Sequence, residues 1–365
     1  MNDGPVDDRT PGGRVTLKQI AATLGVTPMT VSNAFNRPDQ LSPALRQRVL
    51  STARELGYGG PDPTARGLRR GRTGAVGVIY DNRLSYAFED AAAVAFLRGV
   101  SAAAEEAELG LLLVPGSSTE PRNADVVHDA MVDGFVVYSV AEQDALVRAA
   151  LHRGRPVVVV DQPRVANAAF VGIDDAAAAR AAAAHLVGAG HRRLAVVSFG
   201  LARDGRRGLA GDVRQAEARY PVSRARLAGY AAATREAGIP WSQVPVFECP
   251  GSAPALGREA ARALLSAPHP PTAIVATSDR LALGVIAAAA EAGLSVPGDL
   301  SVVGFDDIPE AADSRPPLTT VTQDHAAKGR LAGSLLIARV RGSDETGSHL
   351  LPSRLVVRGS TGPPA

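Results

Sequence analysis

Residues 15–36, VTLKQIAATLGVTPMTVSNAFN, decide how the chain is read. Leu17, Ile20, Ala21 and Leu24 fall at i, i+3, i+4 and i+7, the spacing of a short helix with one apolar stripe. Gly25 ends that helix, because glycine accepts the positive φ of a sharp turn. Thr27 follows as an N-cap and Pro28 as the first residue of a second helix, where its missing N–H costs nothing. This second helix runs to about Ala34 and turns Val31 and Phe35 back onto the first, leaving Pro28, Met29, Ser32, Asn33 and Asn36 outward. A polar outward row on a helix braced by a tight turn is the form in which a helix-turn-helix enters a major groove. The same residues also suit an ordinary helical hairpin. A third helix narrows the choice: Ser42-Pro43 caps and opens it, with Leu45, Val49, Leu50, Ala53 and Leu56 on one face.

Outward from that unit, the chain of 365 residues has room for two or three domains, and 45% hydrophobic content permits a sizeable core. No apolar run reaches membrane-spanning length, and the start, MNDGPVDDRTPGG, lacks the basic and apolar regions of a signal peptide; the expected location is the cytoplasm. One cysteine, Cys249, excludes an internal disulfide and argues against a cysteine-built zinc site. The net charge is only +2, but residues 15–74 hold eight arginines and Lys18 against Asp39, Glu55 and Asp62, a local charge of +6 that leaves −4 for the rest. A basic small domain on a mildly acidic larger one is the asymmetry of a protein that meets phosphate at one end.

Residues 1–14 are polar and rich in Pro and Gly, and read as a disordered tail. After GGPDP (59–63) breaks the third helix, Thr64–Arg70 carries Gly67 and is too short to be a stable helix alone. From Ala75 the pattern becomes α/β: AVGVI (75–79), GLLLV (110–114), GFVVY (134–138) and PVVVV (156–160) alternate with alanine-rich helical stretches. A second series follows: RLAVVS (193–198), VPVFE (244–248), TAIVA (272–276) and LSVVGF (300–305). Both series have the signature of parallel sheets buried on two faces. Residues 200–223 interrupt the second series with an arginine-rich segment, read as a mobile loop or an added short helix.

The opening stretch, continued through LSPALRQRVLSTARELGY (41–58) and PDPTARGLRRGRTGAVGVI (61–79), resembles the headpiece and hinge of the lactose-repressor (LacI/GalR) family of bacterial transcription regulators. The resemblance extends over residues 15 to about 357. It implies an α-helical helix-turn-helix headpiece followed by an α/β, two-lobed, periplasmic-binding-protein-like effector domain with two doubly wound parallel sheets. The boundaries expected are a helix-turn-helix domain at 15–60, a hinge at 61–73, an effector domain at 74–357 and a tail at 358–365. Within the effector domain the first lobe takes 74–172 and 323–351, and the second 173–322 and 352–357. The partners implied are double-stranded operator DNA, a second copy of the chain in a homodimer, and a small-molecule effector, a sugar or sugar derivative; no membrane is involved.

On the headpiece, Asn33 suits a bidentate contact to adenine and Met29 the methyl group of thymine. Thr16, Thr27, Thr30 and Ser42 suit phosphate, with Arg37 and Arg46 as looser candidates. Leu17, Pro28, Ser32, Asn36, Tyr58 and Ala65 complete the DNA-facing set that the resemblance implies, and Leu68 matches the family's minor-groove wedge. In open α/β sheets ligands bind beyond the carboxyl ends of the strands. That rule selects Tyr80 and Asp81, Asp161, Ser278 with Asp279, and Asp306. Arg226 and His325 join them by the family match, and Tyr86 or Phe88 would stack on an apolar ring face. Any single one of these aspartates reads equally as a helix cap, Asp174 and Asp279 above all. The chain has no G-x-S-x-G, no H-E-x-x-H and no P-loop, so no catalytic residue, metal site or cofactor is expected. Two rivals share the two-lobed fold or its sheets: a solute-binding protein for uptake and a nucleotide-linked oxidoreductase.

Overall fold

A computed structural model describes residues 15–60, 72–116 and 124–365. The expected tail at 1–14 and all but the end of the expected hinge, including Ala65 and Leu68, lie outside the described residues. The chain divides into two compact units, Met1–Thr73 and Gly74–Ala365.

The first unit is a three-helix bundle of α1 (Leu17–Leu24), α2 (Pro28–Asn36) and α3 (Pro43–Glu55). Each helix starts on a hydroxyl: Thr16 accepts from the Gln19 N–H, Thr27 from Thr30 and Ser42 from Leu45. Gly25 closes α1 at φ 66°, the left-handed turn anticipated from the sequence. Ile20, Ala21, Val31, Ala34, Val49 and Ala53 form the core, and Phe35 meets Tyr58 edge-on at 5.7 Å. Leu56 departs from the expected stripe. The helix ends at Glu55, so Leu56 occupies the C-cap and is 38% exposed.

The second unit holds two sheets. The first uses β1 (Ala75–Tyr80), β2 (Gly110–Pro115), β3 (Phe135–Tyr138), β4 (Val157–Val160) and β5 (Ala169–Gly172). Between them run α4 (Tyr86–Glu89), α5 (Ala91–Glu106), α6 (Asp125–His128) and α7 (Ala145–His152). The second lobe continues through α8 (Asp175–Gly188), β6 (Leu194–Ser198), β7 (Gly208–Leu209), α9 (Asp212–Ala216), α10 (Pro221–Glu236) and β8 (Val246–Glu248). Next come α11 (Pro254–Leu265), β9 (Ala273–Ala276), α12 (Asp279–Glu291), β10 (Ser301–Asp306), α13 (Pro309–Asp313) and β11 (Thr319–Gln323). The chain ends through α14 (His325–Val340), β12 (Ser348–Leu350) and β13 (Ser353–Val356).

The first sheet has the order β12-β5-β4-β3-β1-β2 and is parallel throughout. The second has the order β13-β11-β10-β9-β6-β8-β7, parallel at its centre with β13 and β7 antiparallel at the two edges. The chain passes between sheets three times: after Gly172, after Gln323, and between Leu350 and Ser353. The central strands of each sheet are buried on both faces, which is why they read as unbroken apolar runs rather than alternating ones, whereas the edge strand β2 leaves Leu112 exposed.

Three helix pairs cover the sheets at backbone contact. A Cβ on Gly99 of α5 would lie 2.0 Å from the Ala326 carbonyl of α14, and one on Gly229 of α10 would lie 2.2 Å from the Ala176 carbonyl of α8. Gly284 of α12 approaches Pro254 of α11 in the same way. The alanine- and glycine-rich composition of the helices follows from this spacing, since larger side chains would push the axes apart.

The 200–223 segment contains the short helix that was one of its two readings, and the C-terminal stretch is more ordered than the sequence suggested. The 200–223 segment forms the short strand β7, paired to β8, and the helix α9, and Arg214 anchors it by binding the buried Glu248 at 2.7 Å. Residues 358–365, expected as a tail, dock on the second sheet. The fully buried Ser360 hydroxyl accepts from the Thr319 N–H at 2.8 Å and donates to the Val302 carbonyl at 2.6 Å. His191 hydrogen-bonds the Gly362 carbonyl at 2.9 Å.

Candidate functional site

The carboxyl ends of the strands of both lobes converge on one cleft of about 370 Å³. Tyr80, Asp81, Tyr86, Asp161, Arg226, Ser278, Asp306 and His325 all line it. Phe88 does not, which corrects the expectation. Tyr86 and Phe88 sit two residues apart on the single turn α4, so about 200° of helical rotation separates them and only one can face inward. Tyr86 takes the cleft, while Phe88 is 65% exposed and borders a shallow outer groove beside Val94 and Leu97.

The first-lobe wall is aromatic and acidic. Tyr80 stacks on Tyr138 at 5.6 Å and Tyr138 on Phe96 at 3.9 Å, a column of rings that fixes Tyr80 at the strand end. Burial, reinforced by nearby Asp90, holds the Tyr80 phenol neutral well above its ordinary range. Asp161 follows β4 at φ 62° and receives the Lys328 ammonium at 2.6 Å. Lys328 is fully buried and also donates to Gln323.

The second-lobe wall is basic. The Arg226 guanidinium lies 3.6 Å above the Phe305 ring, donates to Asp175 at 2.9 Å and to the Thr277 carbonyl at 2.6 Å. Burial opposes its charge, but Asp175 and Asp306 outweigh that and hold it up. Asp175 is itself pushed up by burial, with Arg226 offsetting part of the rise. Ser278 is the N-cap of α12 and accepts from the Leu281 N–H. Asp279, read as a cap candidate, is instead the first residue of the helix and points away from the cleft. Its fully buried carboxylate accepts from the Thr320 hydroxyl at 2.5 Å and the Ile308 N–H at 3.0 Å. Burial, then the charge of Asp306, pushes it up to about 7.

Contacts across the cleft join the lobes. Asp81 of the first lobe accepts from Arg203 at 2.8 Å and from the Tyr220 hydroxyl at 2.7 Å, both carried by the 200–223 segment. The Val222 N–H donates to Gln162 at 2.9 Å, and Arg224 binds Glu142 at 2.9 Å. Tyr86 bonds Ser252, and Arg280 lies 3.7 Å from Asp90. Sequence reading missed Arg203, Tyr220, Arg280 and Lys328. Only the last left a signal: Lys18 and Lys328 are the sole lysines among 39 basic residues. A compact ammonium fits a narrow buried slot that a guanidinium fork would not.

On the headpiece, Met29 is 68% exposed, and Thr16, Thr27, Pro28 and Ser42 are exposed with it. Ser32, Asn33 and Asn36 are half-buried; Asn33 donates to Gln40 at 3.2 Å and Asn36 to the Ser32 carbonyl at 3.0 Å. Leu17 and Tyr58 are half-buried against the headpiece core, so each serves packing as well as any outward role. Thr16, Thr27 and Ser42 are the three helix caps, which puts the positive ends of three helix dipoles beside them.

Among the described residues no three His, Cys, Asp or Glu side chains gather as a metal site, and no helix is long and apolar enough to cross a membrane. Residues 16–60 match the family described as bacterial regulatory proteins, lacI family, and residues 183–361 match a periplasmic binding protein-like domain. An HTH-type transcriptional regulator of Mycobacterium tuberculosis is 44% identical over 98% of this chain and 99% of its own length. A transcriptional regulator CelR–cellobiose complex is similar in structure at a TM-score of 0.68 and 28% identity, covering 95% of this chain and 100% of that one. The lac repressor dimer bound to operator and the anti-inducer ONPF gives 0.73 at 25% identity, covering 96% and 100%.

Proposed function

The chain belongs to the lacI family of bacterial regulatory proteins, and from that premise we propose that it is a sequence-specific repressor whose operator affinity is set by a small molecule bound between its lobes. The observation that carries the reading is the convergence of eight side chains from separate strand ends and helix starts on one inter-lobe cleft. The effector is a sugar or sugar derivative, a class supported by the vicinal hydrogen-bonding capacity of Asp161, Asp306 and Arg226 and by the cellobiose complex of a relative. Two copies of the headpiece read a palindromic operator, each with Met29 and Asn33 on base edges and Thr16, Thr27, Thr30 and Ser42 on phosphates. Ligand binding favours one lobe geometry, and the coupling passes to the headpiece through residues 61–73, with a typical magnitude of about 1–3 kcal/mol.

Fluorescence anisotropy with a fragment from upstream of the chain's own gene tests the reading. Affinity should fall steeply with salt through counterion release. Asn33→Ala should lower operator affinity by about 1–3 kcal/mol while leaving binding to unrelated duplex unchanged. Arg226→Ala should keep operator affinity and lose the ligand response. Equal loss on operator and unrelated DNA for Asn33→Ala would remove the base-reading role.

A further inference from the structure

Each guanidinium that lines the cleft has a carboxylate beside it: Arg203 has Asp81 at 2.8 Å, Arg226 has Asp175 at 2.9 Å, and Arg280 stands 3.7 Å from Asp90 without a hydrogen bond to it. Behind the wall, Lys328 holds Asp161 at 2.6 Å. The remaining carboxylate, Asp306, accepts from the Gln323 amide at 2.6 Å and stands 3.6 Å from His325 Nε2. His325 is 7% exposed and lines the cleft, yet neither ring nitrogen has a hydrogen-bond partner.

Among the described residues, an arriving anion therefore meets no cation in this wall that lacks a carboxylate beside it. A bound phosphate or carboxylate must share an arginine with the carboxylate already beside it, and the added negative charge then stands uncompensated in a largely buried site. A hydroxyl makes no such demand, because it donates to a carboxylate and accepts from a guanidinium at once, bridging a pair without adding charge. The tyrosine column opposite offers a flat surface to the apolar face of a ring.

We propose that the cleft selects an uncharged polyhydroxylated ring and rejects its phosphorylated and carboxylated counterparts, with His325 and Asp306 reading one hydroxyl; this rests on the effector reading of the same cleft. His325 supplies the unmatched donor or acceptor and Asp306 the charge-assisted acceptor beside it. Arg203, contributed by the 200–223 segment and neutralised by Asp81, keeps the mouth of the cleft closed to anions.

Thermal shift and titration calorimetry on the full-length protein, with matched sets of neutral monosaccharides and cyclic polyols, their phosphate monoesters and their uronic acids, test this. At least one neutral compound should raise the unfolding midpoint, and each charged counterpart should bind at least about 100-fold more weakly. His325→Ala should weaken the neutral ligand by about 10-fold, and Asp81→Asn, which releases Arg203, should narrow the gap between neutral compound and phosphate ester. A charged counterpart that binds more tightly than its neutral parent overturns the selectivity and leaves the effector reading standing. Silence from every set with the wild-type protein overturns both.

Discussion

Each lobe buries one ion pair at the back of the cleft, and the two pairs are turned opposite ways. In the first lobe the cation is behind, with Lys328 fully enclosed and Asp161 facing the ligand space; in the second Asp175 is behind and Arg226 faces it. Two lobes of one architecture thus present opposite charge to the same cavity. The local backbone decides which partner faces out. Asp161 leaves β4 at a positive φ that aims it inward. Asp175 opens α8, where the helix dipole supports a carboxylate that has little solvent. The lesson is that sign at a binding wall is set by which member of a pair a helix can bury, independently of the sheet beneath.

Breaking these pairs should produce the largest effects, and unequal ones. Asp161→Ala removes the carboxylate bonded to the fully buried Lys328 ammonium, which should cost about 3–5 kcal/mol in urea unfolding. Arg226→Ala should cost less, because Asp175 is already pushed up by burial and can shed its charge by taking a proton; its penalty should shrink further as the buffer is made more acidic. Equal penalties with no pH trend would remove the asymmetry.

The helix crossings, by contrast, should behave alike in the two lobes. Gly99→Ala and Gly229→Ala each drive a methyl into a carbonyl of the facing helix, and each should cost about 1–3 kcal/mol. A variant that is neutral in one lobe alone would show that its helix pair can slide and the other cannot.

A pH trend is expected from Asp279 in the second lobe. Asp279 is raised from an ordinary value of 3.8 to about 7. Its contribution to stability is complete below the ordinary value and is lost as pH rises through about 7. Asp279→Asn removes that titration, so the variant's unfolding midpoint should gain on the wild type as pH climbs from about 4 to about 7. A constant difference across that range would show that the carboxyl ionises freely in the folded state.

Much of this was legible beforehand, and the misses have a common cause. The caps at Thr16, Thr27 and Ser42, the turn at Gly25 and the strand-end positions of Tyr80, Asp161 and Asp306 depend on residues only a few positions away, and the structure has them where the sequence indicated. Between Tyr86 and Phe88 the sequence left the inward residue open, because a four-residue helix shows no periodicity from which an inward face can be read. Docking of Ser360 and Gly362 was hidden because GSTGPPA is polar and turn-rich, and only the amino ends of β11 and β10, 41 and 58 residues from Ser360 in the chain, give its hydroxyl partners.

The sequence by itself determined a helical head that carries its own caps and two runs of doubly buried strands, since these rest on local backbone preference and periodic burial. Tertiary structure alone decided which charges meet. Asp81 and Arg203 are 122 residues apart, and Asp161 and Lys328 are 167 apart. Coulomb attraction in a desolvated cleft acts on distance in space, and that distance exists only after the chain has crossed between its lobes, once for the first pair and twice for the second.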